Sequence, residues 1–443
     1  MKTPICDFIE EYAQNKSLRL HMPGHKGVGD HLEAFDITEI SGADSLYEAN
    51  GIIAESEKNA GKLFNSITYY SAEGSSLSIR AMIYLCSIYA KTAQKEPLIY
   101  AARNVHKSFV SAVAALDVDV EWMSTENADY LSCKLTGEEI GQYLDKAQKK
   151  PVAVYVTSPD YLGNIADIES IANECHKRDV LLVVDNAHGA YLQFMETSMH
   201  PIALGADMCC DSAHKTLPAL TGSGYLHISK NAPAILADNA KRALSLFGST
   251  SPSYLILASL DRLNGYIQNG YSDKIRDFST ELIKLKKKLG SAGYTLIGDE
   301  ALKLTISAKE YGYTGRQIAE HLEEAGIFPE FADPDYIVLM LTPENGEAGI
   351  LRLEKALLEL PKKAPLAKSP LKFIIPNRAM SIREAVLSAS TTLPVEKSLG
   401  KTLASITVGC PPAVPIIVCG EVIDENTIEC FKYYGIDSCT VVE

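Results

Sequence analysis

Over the first two thirds of the chain, short apolar or β-branched runs alternate with segments whose apolar positions recur every three or four residues. The runs at 98–102, 152–157, 180–184, 208–211 and 224–228 predict strands, and the segments at 76–91, 108–115, 137–147 and 168–178 predict helices. Parallel neighbours in a sheet need a crossover of about a dozen residues or more, usually a helix, and helical segments separate the first three of these runs. Strands that are apolar almost throughout also need both faces of their sheet covered. The expectation is an α/β domain built on a parallel sheet.

The pattern changes after about residue 258. A basic helical segment at 274–289 leads to a strand at 302–307, a helix at 314–325, a strand at 336–341 and a helix at 348–360, which together predict a smaller α+β domain. The Lys/Pro-rich stretch 361–370 reads as a linker, 381–390 as helical, and 425–433 as a last helix. Between them lies CPPAVPIIVCGE (410–421), whose prolines lack backbone N–H groups and so place it on a sheet edge or in a covered loop. The expected division is an N-terminal arm (1–40), a large domain (41–265), a small α+β domain (266–362) and a C-terminal domain (363–443).

Composition narrows the partners. The 443 residues leave room for several domains, and 46% apolar with 22% charged residues is the balance of an ordinary globular protein. Lys plus Arg is 42 against 56 Asp plus Glu, a formal charge of −14, which argues against a nucleic-acid partner held by its phosphates. The ten cysteines contain no C-x-x-C pair and read as reduced thiols of a cytoplasmic protein, with no zinc site. The N-terminus lacks the basic start and apolar run of a signal peptide. The longest largely apolar stretch, 81–90, is too short to span a bilayer. A small-molecule partner is expected, with neither membrane nor nucleic acid.

Candidate chemistry sits at predicted strand ends. Asp211-Ser212-Ala213-His214-Lys215-Thr216 follows one strand, and Asp185-Asn186-Ala187-His188-Gly189 follows another. Alone, the first is equally a polar loop with a solvated lysine. Ligands of open parallel sheets bind beyond the carboxyl ends of the strands, however, so the lysine and the acid face one pocket. That pair fits pyridoxal 5'-phosphate: a lysine holds the cofactor as a Schiff base, and an acid keeps the pyridine nitrogen protonated. Glu73-Gly74-Ser75-Ser76 opens a helical pattern and offers free N–H groups and a helix dipole to a phosphate, although such a turn is more often a plain N-cap. Ser212 and His214 add donors beside Lys215. A third strand end places His106 to stack on the cofactor ring, where a lone histidine is more often a hydrogen-bonding framework residue. The fourth, Ser158-Pro159-Asp160-Tyr161-Leu162-Gly163, reads as a turn with Asp160 and Tyr161 as pocket walls.

Taken together, these pieces resemble the ornithine/lysine/arginine decarboxylase family of pyridoxal-phosphate enzymes, particularly its short bacterial members. The matching segments are LHMPGHKG (20–27), TEISGADSLYEANGIIAESE (38–57), EGSS (73–76), RNVHKS (103–108), DNAHGA (185–190), SAHKTL (212–217), STSPSYLILASLD (249–261) and CPPAVPIIVCGE (410–421). The resemblance implies fold type I, the aspartate-aminotransferase-like fold, with a large mostly parallel-sheet domain and smaller α+β C-terminal domains.

It further implies that Lys215 carries the cofactor, Asp185 partners the ring nitrogen and His106 stacks on the ring, with His188 close by. Gly74, Ser75, Ser76, Ser212 and His214 correspond to phosphate-binding positions, and Thr250, or its neighbour Ser249, to a residue that reaches a partner subunit's phosphate. A homodimer or homotetramer with active sites at the interface follows by the same analogy, because the chain lacks the N-terminal wing through which larger relatives form rings.

The implied reaction is decarboxylation of arginine, lysine or ornithine to a di- or polyamine precursor. A buried substrate cation needs an acidic partner, and Asp44, Glu48 and Glu421 lie in matching segments; each also reads as a solvated carboxylate. Some positions depart from the pattern. Asp44-Ser45 stands where larger relatives carry an acid pair, and Glu73 brings an acid beside the phosphate cradle. Cys410-Pro411-Pro412-Ala413 and Cys419-Gly420-Glu421 replace Tyr-Pro-Pro-Gly and Pro-Gly-Glu. Decarboxylation and transamination differ in how the substrate is oriented, so the reaction class rests on the resemblance. A pyridoxal-phosphate decarboxylase or aminotransferase acting on another amino acid, and a non-catalytic relative, stand beside it as alternatives.

Overall fold

A computed structural model describes residues 1–15, 17–29, 31–125, 128–367, 374–406 and 414–443. Ile67–Ser71 (β1), Leu98–Ala102 (β2), Asp119–Met123 (β3), Ala153–Thr157 (β4), Leu181–Asp185 (β5), Met208–Asp211 (β6) and Gly224–Ile228 (β7) form one sheet in the order β1-β7-β6-β5-β4-β2-β3. The chain divides into two compact units. One comprises Met1–Pro97, Leu144–Tyr155 and Ile168–Lys274; the other comprises Leu98–Tyr143, Val156–Asp167 and Ile275–Glu443.

In the first unit, β5 and β6 are parallel, as the alternation of strands and helices predicts. β7 departs from that expectation: it runs antiparallel to both β6 and β1. The connection from β6 to β7 holds only the one-turn helix Ala213–Thr216, which is no crossover, so the chain turns straight back. The hydrophobic pattern also missed β1 and β3, the first and last strands of the sheet order. Polar residues break their patterns, Thr68 and Ser71 in β1 and Asp119 and Glu121 in β3, whereas β2, β5 and β7 are buried throughout and read as apolar runs. Helix Gly74–Thr92 follows β1 and seals Leu77, Met82, Ile83 and Leu85 completely from solvent. The N-terminal helix Pro4–Gln14 starts on a proline that pre-sets its first turn. Its Ile5 and Cys6 amides donate to Asp261 Oδ2 at 2.9 and 3.0 Å, which ties the chain start to helix Tyr254–Gln268.

In the second unit, β2 and β3 pair in parallel. Thr295–Ile297 (β8), Lys303–Ser307 (β9), Phe331–Ala332 (β10) and Tyr336–Met340 (β11) form an antiparallel sheet in the order β10-β11-β9-β8. Ser390–Pro394 (β12) pairs with Ser438–Val442 (β13). The helix expected over 381–390 is helical only over Ile382–Leu387, where Ser381 and Glu384 form a capping box; the β-branched residues after it belong to β12. Of the Pro-rich run, 410–413 lie outside the described residues, as do 368–370 of the expected linker. Val414–Glu421 forms a buried loop whose Ile416 and Ile417 join Phe331, Val338 and Phe431 in one apolar core.

No helix among the described residues is long and apolar enough to cross a membrane. The nine cysteines among them are buried and unbridged; Cys410 lies outside.

Candidate active site

Strand register brings the chemistry of the first unit to one edge. Ser71 at the end of β1 pairs with Gly224, Asp211 at the end of β6 pairs with Tyr225, and Asp185 at the end of β5 pairs with Cys210. The residues after these three strand ends, Gly74–Ser76, Ser212–Lys215 and Asn186–His188, are therefore neighbours.

The turn after β1 is built for close approach. The Ser71 hydroxyl donates to the Gly74 carbonyl at 2.7 Å, and the Gly74 amide donates to Gly222 O at 2.7 Å. Gly74 has φ +63°, and an added Cβ would meet the His214 ring at 3.3 Å. On the facing strand, a Cβ at Gly224 would lie 2.6 Å from the Gly74 carbonyl carbon. Only glycine pairs at this distance let the helix Gly74–Thr92 start against β7. The first-turn amides of a helix have no intrahelical acceptor, and its dipole favours an anion. Ser212 Oγ donates to Ser75 Oγ at 2.8 Å, so two hydroxyls flank that helix start. His214 Nδ1 donates to Ser223 O at 2.8 Å, which fixes the ring beside Gly74. Glu73, the N-cap residue, accepts the Ser249 amide at 2.8 Å; Thr250 is exposed in the same loop.

Lys215 is half-buried, and its Nζ lies 3.0 Å from His188 Nε2. Asp185 is 2% exposed. Its Oδ1 accepts from the Ala187 amide at 3.1 Å and its Oδ2 from Tyr155 OH at 3.3 Å, with the Cys210 thiol 3.5 Å away. Burial pushes the Asp185 carboxyl above the ordinary range, while the Lys215 cation pulls it partly back. The site therefore holds a sealed acid that is short of positive charge.

Behind these residues lies a support that the sequence did not reveal. Asn186 Nδ2 donates to Asp211 Oδ1 at 2.6 Å, and a Cβ at Gly189 would lie 2.0 Å from Asn186 Oδ1, so the turn that presents His188 needs glycine there. Asp211 Oδ2 accepts from His200 Nε2 at 3.1 Å and His227 Nε2 at 3.2 Å. Burial opposes the Asp211 charge, but the two imidazoles outweigh it and hold the carboxyl well below its usual range. Tyr155, Cys210, Asn186, His200 and His227 come from five separate places in the sequence. The one legible hint was that Cys210 and Asn186 flank predicted strand ends.

The remaining candidates have local partners of their own. Asp44 accepts the amides of Ser45 and Asn50 at Oδ1 and those of Gly51, Ile53 and Ala54 at Oδ2, so its carboxylate organises the turn before helix Ile52–Leu63. Glu48 is exposed on a single helical turn, Leu46–Glu48. His106, in the second unit, caps helix Lys107–Leu116 by accepting the Ser108 amide at 3.1 Å. Glu421, also in the second unit, pairs with Arg103 at 2.8 Å, both side chains 1–2% exposed. It accepts the Val418 amide as well. Asp160 is buried in that unit and accepts from the Asn164 amide and side chain, while Tyr161 OH donates to Glu330.

A family model described as Orn/Lys/Arg decarboxylase, major domain, matches residues 3–297. An arginine decarboxylase of Halalkalibacterium halodurans is 30% identical over 461 residues, covering 96% of this chain and 92% of that protein. An arginine decarboxylase of Bacillus subtilis is 27% identical, covering 96% and 92%. Among solved structures, the constitutive lysine decarboxylase of E. coli superposes with a TM-score of 0.79 at 17% identity, covering all of this chain and 82% of that one. At that identity the likeness shows the fold.

Proposed function

The chain belongs to the Orn/Lys/Arg decarboxylase family, and from that premise we propose that it removes the α-carboxyl group of arginine, or of a close basic analogue, with pyridoxal phosphate held on Lys215. The observation that carries this reading is the amine of Lys215 beside the sealed carboxyl of Asp185, at the same sheet edge as an anion-ready helix start.

The residues fit that cofactor. The glycine-lined start of helix Gly74–Thr92, with Ser75, Ser76, Ser212 and His214, suits a phosphate. Asp185, short of a positive charge, suits a protonated ring nitrogen. When bound, pyridoxal phosphate supplies the conjugated ring that accepts the electron pair released as carbon dioxide leaves.

The chain's own groups do the rest. Lys215 would hold the cofactor through its Nζ, the amine that the Schiff-base chemistry needs. Asp185 keeps a proton on the ring nitrogen, a charge interaction that strengthens as the reaction proceeds. His188 Nε2, within hydrogen-bond reach of Lys215 Nζ, takes or returns the proton that Nζ must shed to act as a base and regain to act as an acid. His106 stacking on the ring and Thr250 reaching a partner's phosphate stay within this proposal as the family analogy has them.

The test is a carbon dioxide release screen across the common amino acids with cofactor-saturated protein. Release from arginine, with lysine and ornithine slower, is expected. A keto acid formed without carbon dioxide would replace the reading with transamination, and release from neutral amino acids alone would remove the cationic substrate.

A second copy of the chain belongs to the same proposal. In the N-terminal arm Leu18, Leu20, Met22, Val28 and Leu32 are 66–84% exposed, a concentration of large apolar side chains that marks an association surface. Leu20→Asp with Val28→Asp is expected to shift the mass measured by light scattering from dimer or tetramer to monomer. An unchanged mass would place the contact elsewhere.

A further inference from the structure

We propose that the first unit carries a second ligand site, a lysine-lined cavity of about 450 Å3 that takes a compact polyanion. It lies between helix Ile52–Leu63, the start of β1 and the residues that follow β7, and shares no lining residue with the Lys215 site. β1 begins at this cavity, with Ile67, Thr68 and Tyr69 in its wall, and ends at the Ser71–Gly74 turn, so the cavity opens at the opposite end of that strand from the cofactor cradle.

The charge around it runs against the rest of the molecule. In a chain of net charge −14, Lys58, Lys62, Lys230 and Lys241 all line this one cavity, and Glu57 is the only acid that does. Glu57 is 5% exposed and is cancelled by Lys241, whose Nζ also donates to Leu46 O. Lys62 donates to Asn59 Oδ1 at 3.1 Å and Lys230 to Asn65 Oδ1 at 2.7 Å, neutral acceptors that orient an ammonium without neutralising it. Among the described residues, no carboxylate lies within ion-pair distance of Lys58, Lys62 or Lys230.

Lys58 and Lys62 stand one helical turn apart on an exposed face, so they repel unless an anion lies between them and Lys230. The volume falls within the usual range for small-molecule sites, roughly 300–1,000 Å3, and Ala49, Ala54 and Ile67 add an apolar wall. The ligand class is a small metabolite bearing two or more phosphate or carboxylate groups.

Calorimetric titration of the cofactor-saturated enzyme, with the cradle already filled, tests this with two probes, pyrophosphate and citrate. Saturable binding of at least one probe, one per chain, is expected. Lys58→Glu with Lys230→Glu should weaken it roughly tenfold or more. The exposed pair Lys397→Glu with Lys401→Glu, in the second unit, makes the same change in net charge and should leave binding essentially intact. Binding of pyrophosphate alone points to a phosphate ester, and of citrate alone to a polycarboxylate. Saturable binding of neither probe, or equal weakening in both double variants, overturns the site. All four substitutions are at exposed positions, so each protein is expected to fold, which its circular dichroism spectrum checks.

Discussion

Lys215→Ala protein is expected to be colourless when mixed with pyridoxal phosphate and to turn over at least about 10^4-fold more slowly than the parent. A covalently held reactant has an effective molarity on the order of 10^5–10^8 M, and among the described residues 212–216 that follow β6 there is no second lysine to replace it. The same substitution removes the cation that offsets the burial of Asp185, so that acid is driven further toward its neutral form. Lys215→Arg separates the two roles. Arginine restores the positive charge near Asp185, but it stays protonated and forms no Schiff base. If Lys215 acts through its nitrogen, the arginine protein is as inactive and as colourless as the alanine protein. Recovery of turnover in Lys215→Arg would reduce Lys215 to a source of charge and remove the covalent attachment from the proposal.

These expectations rest on features that were unevenly legible in the sequence. The residues after β5 and β6 could be found because each strand is an apolar run that stops on an acid, and strand ends at one edge of a sheet share a pocket. The cradle was less legible: a Gly-Ser-Ser turn before a long helical pattern is more often a plain N-cap, and only its place beside the other strand ends favours a phosphate. β1, which positions that cradle, was missed because the polar Thr68 and Ser71 break its apolar pattern. The direction of β7 was missed because the length of its connection, not the pattern within the strand, decides it.

The support behind the site was mostly hidden. Asp211 reads as one more polar residue beside Ser212, yet it is clamped by His200, eleven residues earlier, and His227, sixteen residues later. Nothing in either histidine's neighbourhood announces a partner across the sheet. Asp44 shows the converse. Its segment matched the family, and its chemistry suited a substrate cation, but five backbone amides converge on its two oxygens. A carboxylate's commitments depend on the curl of the chain around it, which a linear motif does not display.

Asp185→Asn should separate catalysis from stability, because the same carboxylate acts on both in opposite directions. Asparagine keeps the shape and can still accept the Ala187 amide, but it carries no charge to hold a proton on the ring nitrogen. Removing one preorganised electrostatic stabiliser costs roughly 10^2–10^3-fold in kcat, and KM should change little because the contacts to the bound substrate remain. The cofactor-free protein should respond in the other sense. Burial raises the Asp185 pKa, so the folded chain holds this proton more tightly than the unfolded chain. Stability from this group is then greatest at low pH and falls as pH rises from the ordinary carboxylate range through the raised folded value. With asparagine that loss disappears, and the Tm of cofactor-free Asp185→Asn should decline less than that of the parent as pH increases. Parallel Tm profiles would mean that Asp185 is not short of positive charge in the empty site, and an unchanged kcat would take the ring-nitrogen role from it.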